Sequence, residues 1–127
     1  MKNKYFNDAI IGGKGITASY SKNGELLRMM YDAPDFRQYL DFFYTGVKVN
    51  DSWMIYLHED QNNRYNQYYT QDTNILNTEI ENTYFNMKVK QTDFVSVKNS
   101  VLVKRYVFEN NNTIDLNVKI CVFNFCI

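Results

Sequence analysis

His58 is the only histidine in the chain, and imidazole is the side chain best suited to metal binding or to general base work near neutral pH. In the stretch "LHEDQ" its only candidate partners are Glu59 and Asp60. Successive side chains along a strand point to opposite faces, so these three do not converge on a metal or a proton. His58 is expected as a surface or strand-end residue. Paired carboxylates are the next chemistry to weigh, since glycosidases need two at a separation of roughly 5–10 Å. Asp32, Asp35 and Asp41 gather around Pro34, and Glu79 and Glu81 share a strand face. Both sets read as solvated turn and sheet-face charges. No G-x-S-x-G element presents a nucleophile. In "IIGGKGI" the glycines Gly12, Gly13 and Gly15 flank Lys14, but no Ser or Thr and no helix follow. A turn between strands explains them better than a phosphate loop. No catalytic residue, metal ligand or cofactor site is therefore assigned.

Aromatic rings offer a different function, because an exposed ring stacks on a sugar face. Trp53 and the "YNQYY" group, with Tyr65, Tyr68 and Tyr69, are the candidates for carbohydrate binding. The same rings in a small β-protein also serve as core or as a domain interface, and both readings stand at this point.

The elements that would carry these residues are strands. Aromatic residues make up 17% of the chain, with eleven Tyr and nine Phe against one Pro and five Gly, a composition suited to pleated sheet faces. Runs at Ile16–Tyr20 and Glu25–Tyr31 flank Asn23-Gly24, a dipeptide that supplies the left-handed backbone of a tight hairpin. Pro34 interrupts pairing, and Asp35 is placed to cap a short helical turn reaching Asp41. Val47–Val49 and Trp53–Leu57 form a second hairpin through Asn50, Asp51 and Ser52. "RYNQYYT" reads as a strand between the turns "HEDQNN" and "QDTN". Leu76, Thr78 and Ile80 share one face, and Phe85, Met87 and Val89 share another. The change of parity places a turn or bulge near Glu81–Thr83. "VLVKRYVFE" and "TIDLNVKICVF" are expected as a last hairpin around Asn110, Asn111 and Asn112. Short strands at this spacing point to an all-β, antiparallel β-sandwich in one domain spanning residues 1–127.

Charge and hydropathy exclude several classes. Fourteen basic residues balance fourteen acidic ones, which removes the electrostatic footprint of a nucleic-acid binder. No apolar run approaches the ~18 residues of a membrane span, and the first residues carry no apolar signal segment. Cytoplasm is the default localisation. Cys121 and Cys126 lie five positions apart on one strand and point to opposite faces, so they are expected as reduced thiols.

Three stretches carry a family resemblance. "AIIGGKGITASYSKNGELLRMMYDAPDFRQYLDFFYTGVKV", "YLHEDQNNRYNQYYTQDTNILNTEIENTYF" and "VKQTDFVSVKNSVLVKRYVFEN" run in order from about residue 5 to 119. Together they resemble the amino-terminal domain of bacterial glucoamylase-like proteins of glycoside hydrolase family 15. That resemblance implies part of a β-supersandwich of galactose-mutarotase-like architecture, which precedes a helical (α/α) barrel. It also implies inverting hydrolysis of α-glucosidic bonds, with both catalytic glutamates in the barrel and none in this chain. Gly13 stands where relatives often carry Asn, and Ala33-Pro34 replaces a bulkier residue before the proline.

After about Lys119 the resemblance fades into "ICVFNFCI", which reads as an atypical or prematurely ended tail at residues 120–127. The expected role is thus a non-catalytic module or remnant of a glucoamylase-type hydrolase, with the barrel as its partner. A freestanding module binding malto-oligosaccharides and a self-associating structural protein are the alternatives. An incomplete sandwich would expose an edge strand and an apolar face. A homodimer is therefore expected, with Ile114, Leu116, Val118, Ile120, Phe123 and Phe125 near its interface.

Overall fold

A computed structural model describes residues 8–31 and 37–126. Within them ten strands form: β1 (Ala9–Gly13), β2 (Ile16–Tyr20), β3 (Leu26–Tyr31), β4 (Arg37–Val49), β5 (Ile55–Tyr56), β6 (Asn63–Tyr69), β7 (Leu76–Asn82), β8 (Met87–Val95), β9 (Leu102–Asn110) and β10 (Val118–Cys126). The first sheet runs β1-β2-β3-β4-β10, with β5 also paired to β4, and the second runs β6-β7-β8-β9. All pairings are antiparallel. The two sheets pack face to face as a β-sandwich, in agreement with the alternating sequence pattern. No helix among the described residues is long and apolar enough to cross a membrane.

The β2–β3 hairpin forms where Asn23-Gly24 predicts it. Gly24 sits at φ +81°, and a Cβ there would come within 3.0 Å of Thr78 on the opposite sheet. The position thus needs glycine twice over, for the backbone and for the close approach. Ser21 closes the turn by accepting hydrogen bonds at Oγ from the amides of Asn23 and Glu25. The β7–β8 hairpin likewise accounts for the parity change, since Asn82 pairs with Met87 around the turn 83–86.

Two expectations are corrected. Residues 37–41 begin the long strand β4, where a helical turn was expected. Tyr39, Phe42, Phe43 and Tyr44 favour a pleated surface, and β3 and β10 supply ladders on both sides of β4. The proposed cap at Asp35, with Asp32 and Pro34, lies outside the described residues. The second correction is at the C-terminal end: β9 and β10 do not form a hairpin. β9 completes the second sheet on β8, and β10 crosses to pair with β4 in the first. The asparagines expected to make a tight turn instead hold the crossing. Asn112 Nδ2 donates to the carbonyl of Phe85 (2.8 Å), Asn110 Nδ2 to that of Ile114 (2.8 Å), and Asn117 exchanges bonds with Asn50.

The interior is divided. One apolar cluster holds Ile11, Ala18, Leu26, Leu40 and Leu76, and the other holds Val47, Val49, Ile55, Leu57, Ile80, Met87 and Val89. Each draws on both sheets, and polar side chains lie among them.

Candidate functional site

The inward face of β8 runs Met87, Val89, Gln91, Asp93, so the period of two carries two polar groups into the core. On β9 the inward positions Leu102, Lys104, Tyr106 and Phe108 add a cation. Asp93 and Lys104 are direct cross-strand partners, and Lys104 Nζ lies 2.7 Å from Asp93 Oδ1. Asp93 is 0% exposed, as is Tyr20 of β2 across the sandwich. The Tyr20 hydroxyl donates to Asp93 Oδ1 (3.2 Å), and Gln91 Nε2 donates to Asp93 Oδ2 (2.6 Å) and to the Gly24 carbonyl (2.9 Å). The Lys104 ammonium sits 5.1, 5.4 and 5.9 Å from the ring centres of Tyr20, Phe43 and Tyr106. Tyr106 in turn shares a 2.6 Å hydrogen bond with Thr45 of β4.

Burial sets the electrostatics here, because it penalises whichever form is charged. It holds Lys104 below the usual lysine range, against the opposing pull of Asp93. It pushes Tyr20 well above the usual phenol value, helped by the Asp93 charge, and Tyr106 up to about 12. A crevice of about 10 Å³ lies beside Gln91 and Lys104 and reaches Glu25 and His58. That volume holds about one water molecule.

His58 lies two residues past the end of β5, a strand-end position as expected, but it is 6% exposed and so is not on the surface. It stacks on Tyr44 at 4.9 Å between ring centres, 4.0 Å from the Glu25 carboxylate and 3.7 Å from that of Glu59. β3 and β5 pair along the same side of β4 without meeting, and His58 fills the notch between them. Among the described residues no cluster of three or more His, Cys, Asp or Glu side chains is placed to hold a metal.

The aromatic candidates are not brought together. Trp53 lies on the loop before β5, 66% exposed, and pairs with Tyr84 of the β7–β8 turn at 6.1 Å. Tyr65 faces inward, packs on the second apolar cluster and donates its hydroxyl to the Leu57 carbonyl. Tyr68 faces outward and bonds Glu79, while Tyr69 bridges to the backbone of Ile10 on β1. Tyr84, which was not among the sequence candidates, is the ring that completes an exposed pair.

A second aromatic group covers the outer face of the first sheet. Phe42 and Tyr44 of β4 stack at 5.1 Å, Phe42 meets Phe125 at 6.2 Å, and Tyr56 meets both Tyr44 and Phe123 at 6.1 Å. Phe125 is 57% exposed. Leu116, just before β10, and Val118 on its inner side pack on the core, but Ile120 remains 47% exposed and Val122 similarly so. Those two positions pair with Val47 and Thr45, so β10 extends past the cover that the second sheet gives β4. Ile114, expected on this strand, lies in the crossing segment before it. Cys121 and Cys126 are both free thiols. No protein-family model matches the chain, and it has no match among curated proteins or solved structures.

Proposed function

We propose that this chain is a non-catalytic β-sandwich module whose outer aromatic face, on β4, β5 and β10, packs against a partner domain. The observation that carries the reading is the continuous group Phe42, Tyr44, Tyr56, Phe123 and Phe125 on the solvent side of a sheet. Large contiguous aromatic surface of this kind marks an interaction site. The resemblance to glucoamylase-like hydrolases supplies the partner, an (α/α) barrel acting on α-glucans, which this module would support structurally. The main ionisable cluster fits that role, since it lies within the sandwich beside space for one water. The test has two arms. Purified chain should release no glucose from maltose or maltotriose, and turnover would refute the non-catalytic reading. An apolar dye should bind the chain strongly and lose most of its signal in Phe123→Ser/Phe125→Ser; equal signal in both would refute the docking face.

Two other readings each have an observation behind them. The exposed Trp53–Tyr84 pair suits stacking on a sugar ring. Titration with malto-oligosaccharides would then change Trp53 fluorescence, and a flat response at millimolar sugar would remove the idea. The half-exposed Ile120 and Val122 beside the free edge of β10 suit pairing with a second copy by a two-fold contact. A single monomer mass by light scattering would exclude it.

A further inference from the structure

We propose that the Lys104 and Asp93 side chains become joined by an intramolecular isopeptide bond, a covalent tie between β9 and β8 inside the sandwich. The two residues face each other directly across the β8–β9 ladder, and the nitrogen already lies 2.7 Å from a carboxyl oxygen. Such fixed proximity replaces a bimolecular encounter and removes much of the barrier to condensation. Three aromatic rings surround the lysine, and the carboxyl group is wholly buried. Burial disfavours the ammonium form, and the neutral amine is the nucleophile. The direction in which burial moves the lysine agrees with this.

The neighbouring groups are placed for the reaction. A proton passes from Nζ to Oδ1 within the pair, leaving a neutral amine and a carboxylic acid. The nitrogen lone pair then attacks Cγ, and negative charge develops on Oδ2. Gln91 Nε2 donates to that oxygen at 2.6 Å and is itself anchored on the Gly24 carbonyl. This is the arrangement that stabilises a developing oxyanion. Tyr20 donates to Oδ1 at 3.2 Å and so assists the departure of that oxygen. As the C–N bond forms, nitrogen passes its second proton to the Oδ1 hydroxyl, the C–O bond to Oδ1 breaks, and that oxygen leaves as water. An ammonium and a carboxylate have become an amide and water, with no oxidant, reductant or cofactor. The adjoining crevice, lined by Gln91 and Lys104, has room for about one water.

The mass of the purified, denatured chain tests this directly. The expected mass is that of the sequence less one water. Trypsin should then fail to cut after Lys104, and residues 91–98 and 99–105 should be recovered as one branched peptide. A full-mass chain with ordinary cleavage at Lys104 overturns the proposal, as does a lost water located elsewhere. Asp93→Asn should still react but lose ammonia in place of water, and Lys104→Met should keep its full mass. If either variant fails to fold, the wild-type branched peptide decides alone.

Discussion

Lys104→Met removes the cation from the core and leaves Asp93 with two neutral donors, Tyr20 and Gln91, in a setting lined by aromatic rings. Breaking a buried ion pair from one side costs about 3–5 kcal/mol, because the remaining charge is uncompensated. A chain of 127 residues has a total stability of about 6–19 kcal/mol at typical per-residue values. Either Lys104→Met or Asp93→Leu should therefore remove a large fraction of it. Replacing both partners by apolar side chains is commonly neutral or better, so Lys104→Met/Asp93→Leu should lie well above both singles if the pair is ionic. If the pair is an amide, the double variant also loses a cross-link closing about a dozen residues, worth about 3 kcal/mol by the loop-closure relation written for disulfides. Urea unfolding of the four proteins reads both quantities. Singles that each cost under about 1 kcal/mol would refute the reading of this pair as dry and coupled.

The buried phenols predict alkaline unfolding. Tyr106, pushed up to about 12 by burial, keeps its proton in the folded state after the unfolded chain has lost it, as do Tyr20 and Tyr65. Their stabilisation is complete below about pH 10 and is lost as pH rises toward 12, with Tyr106 alone accounting for about 2–3 kcal/mol. Lys104, held low by burial, has the opposite sign while it is a free amine, since stability then rises as pH approaches the unfolded value of 10.5. Three phenols outweigh one lysine, so urea midpoints should fall between pH 10 and 12, and a flat profile would contradict the burial of these hydroxyls. Gly24→Ala strains a left-handed turn and presses on Thr78, and should cost about 1–3 kcal/mol in urea unfolding. Phe123→Ser/Phe125→Ser should leave the two-sheet fold intact by circular dichroism, because both rings lie on its outer face.

The hairpins that depend on local chemistry were legible in the sequence. Asn23-Gly24 fixed one turn, and the alternation at Leu76–Ile80 and Met87–Val89 marked the buried faces of β7 and β8. The crossing from β9 to β10 was not legible, because Asn110, Asn111 and Asn112 satisfy a hairpin turn and an inter-sheet loop equally well. The actual partners of Asn111 and Asn112, Phe85 and Asn86, belong to a different turn and are not near in sequence. The buried cluster left a signal that charge obscured. Continuing the period of two from Met87 and Val89 places Gln91 and Asp93 inside, and the same step on β9 places Lys104 between Leu102 and Tyr106. A reading that assigns every charge to the solvent passes over such positions.

That same period explains why a cation and an anion belong in this core. Sliding β9 against β8 by one residue would turn its inner face outward, and the apolar pattern alone forbids it. Sliding by two preserves the pattern: Leu102, Tyr106 and Phe108 would still point inward. Hydrophobic burial therefore does not distinguish the observed register from its neighbours two residues away. In either shifted register Lys104 would face Gln91 or Val95, and Asp93 would be buried without its cation. The cost of an uncompensated buried charge, about 3–5 kcal/mol, falls on the wrong pairings and not on the right one. An amide between the two side chains would make that choice of register permanent.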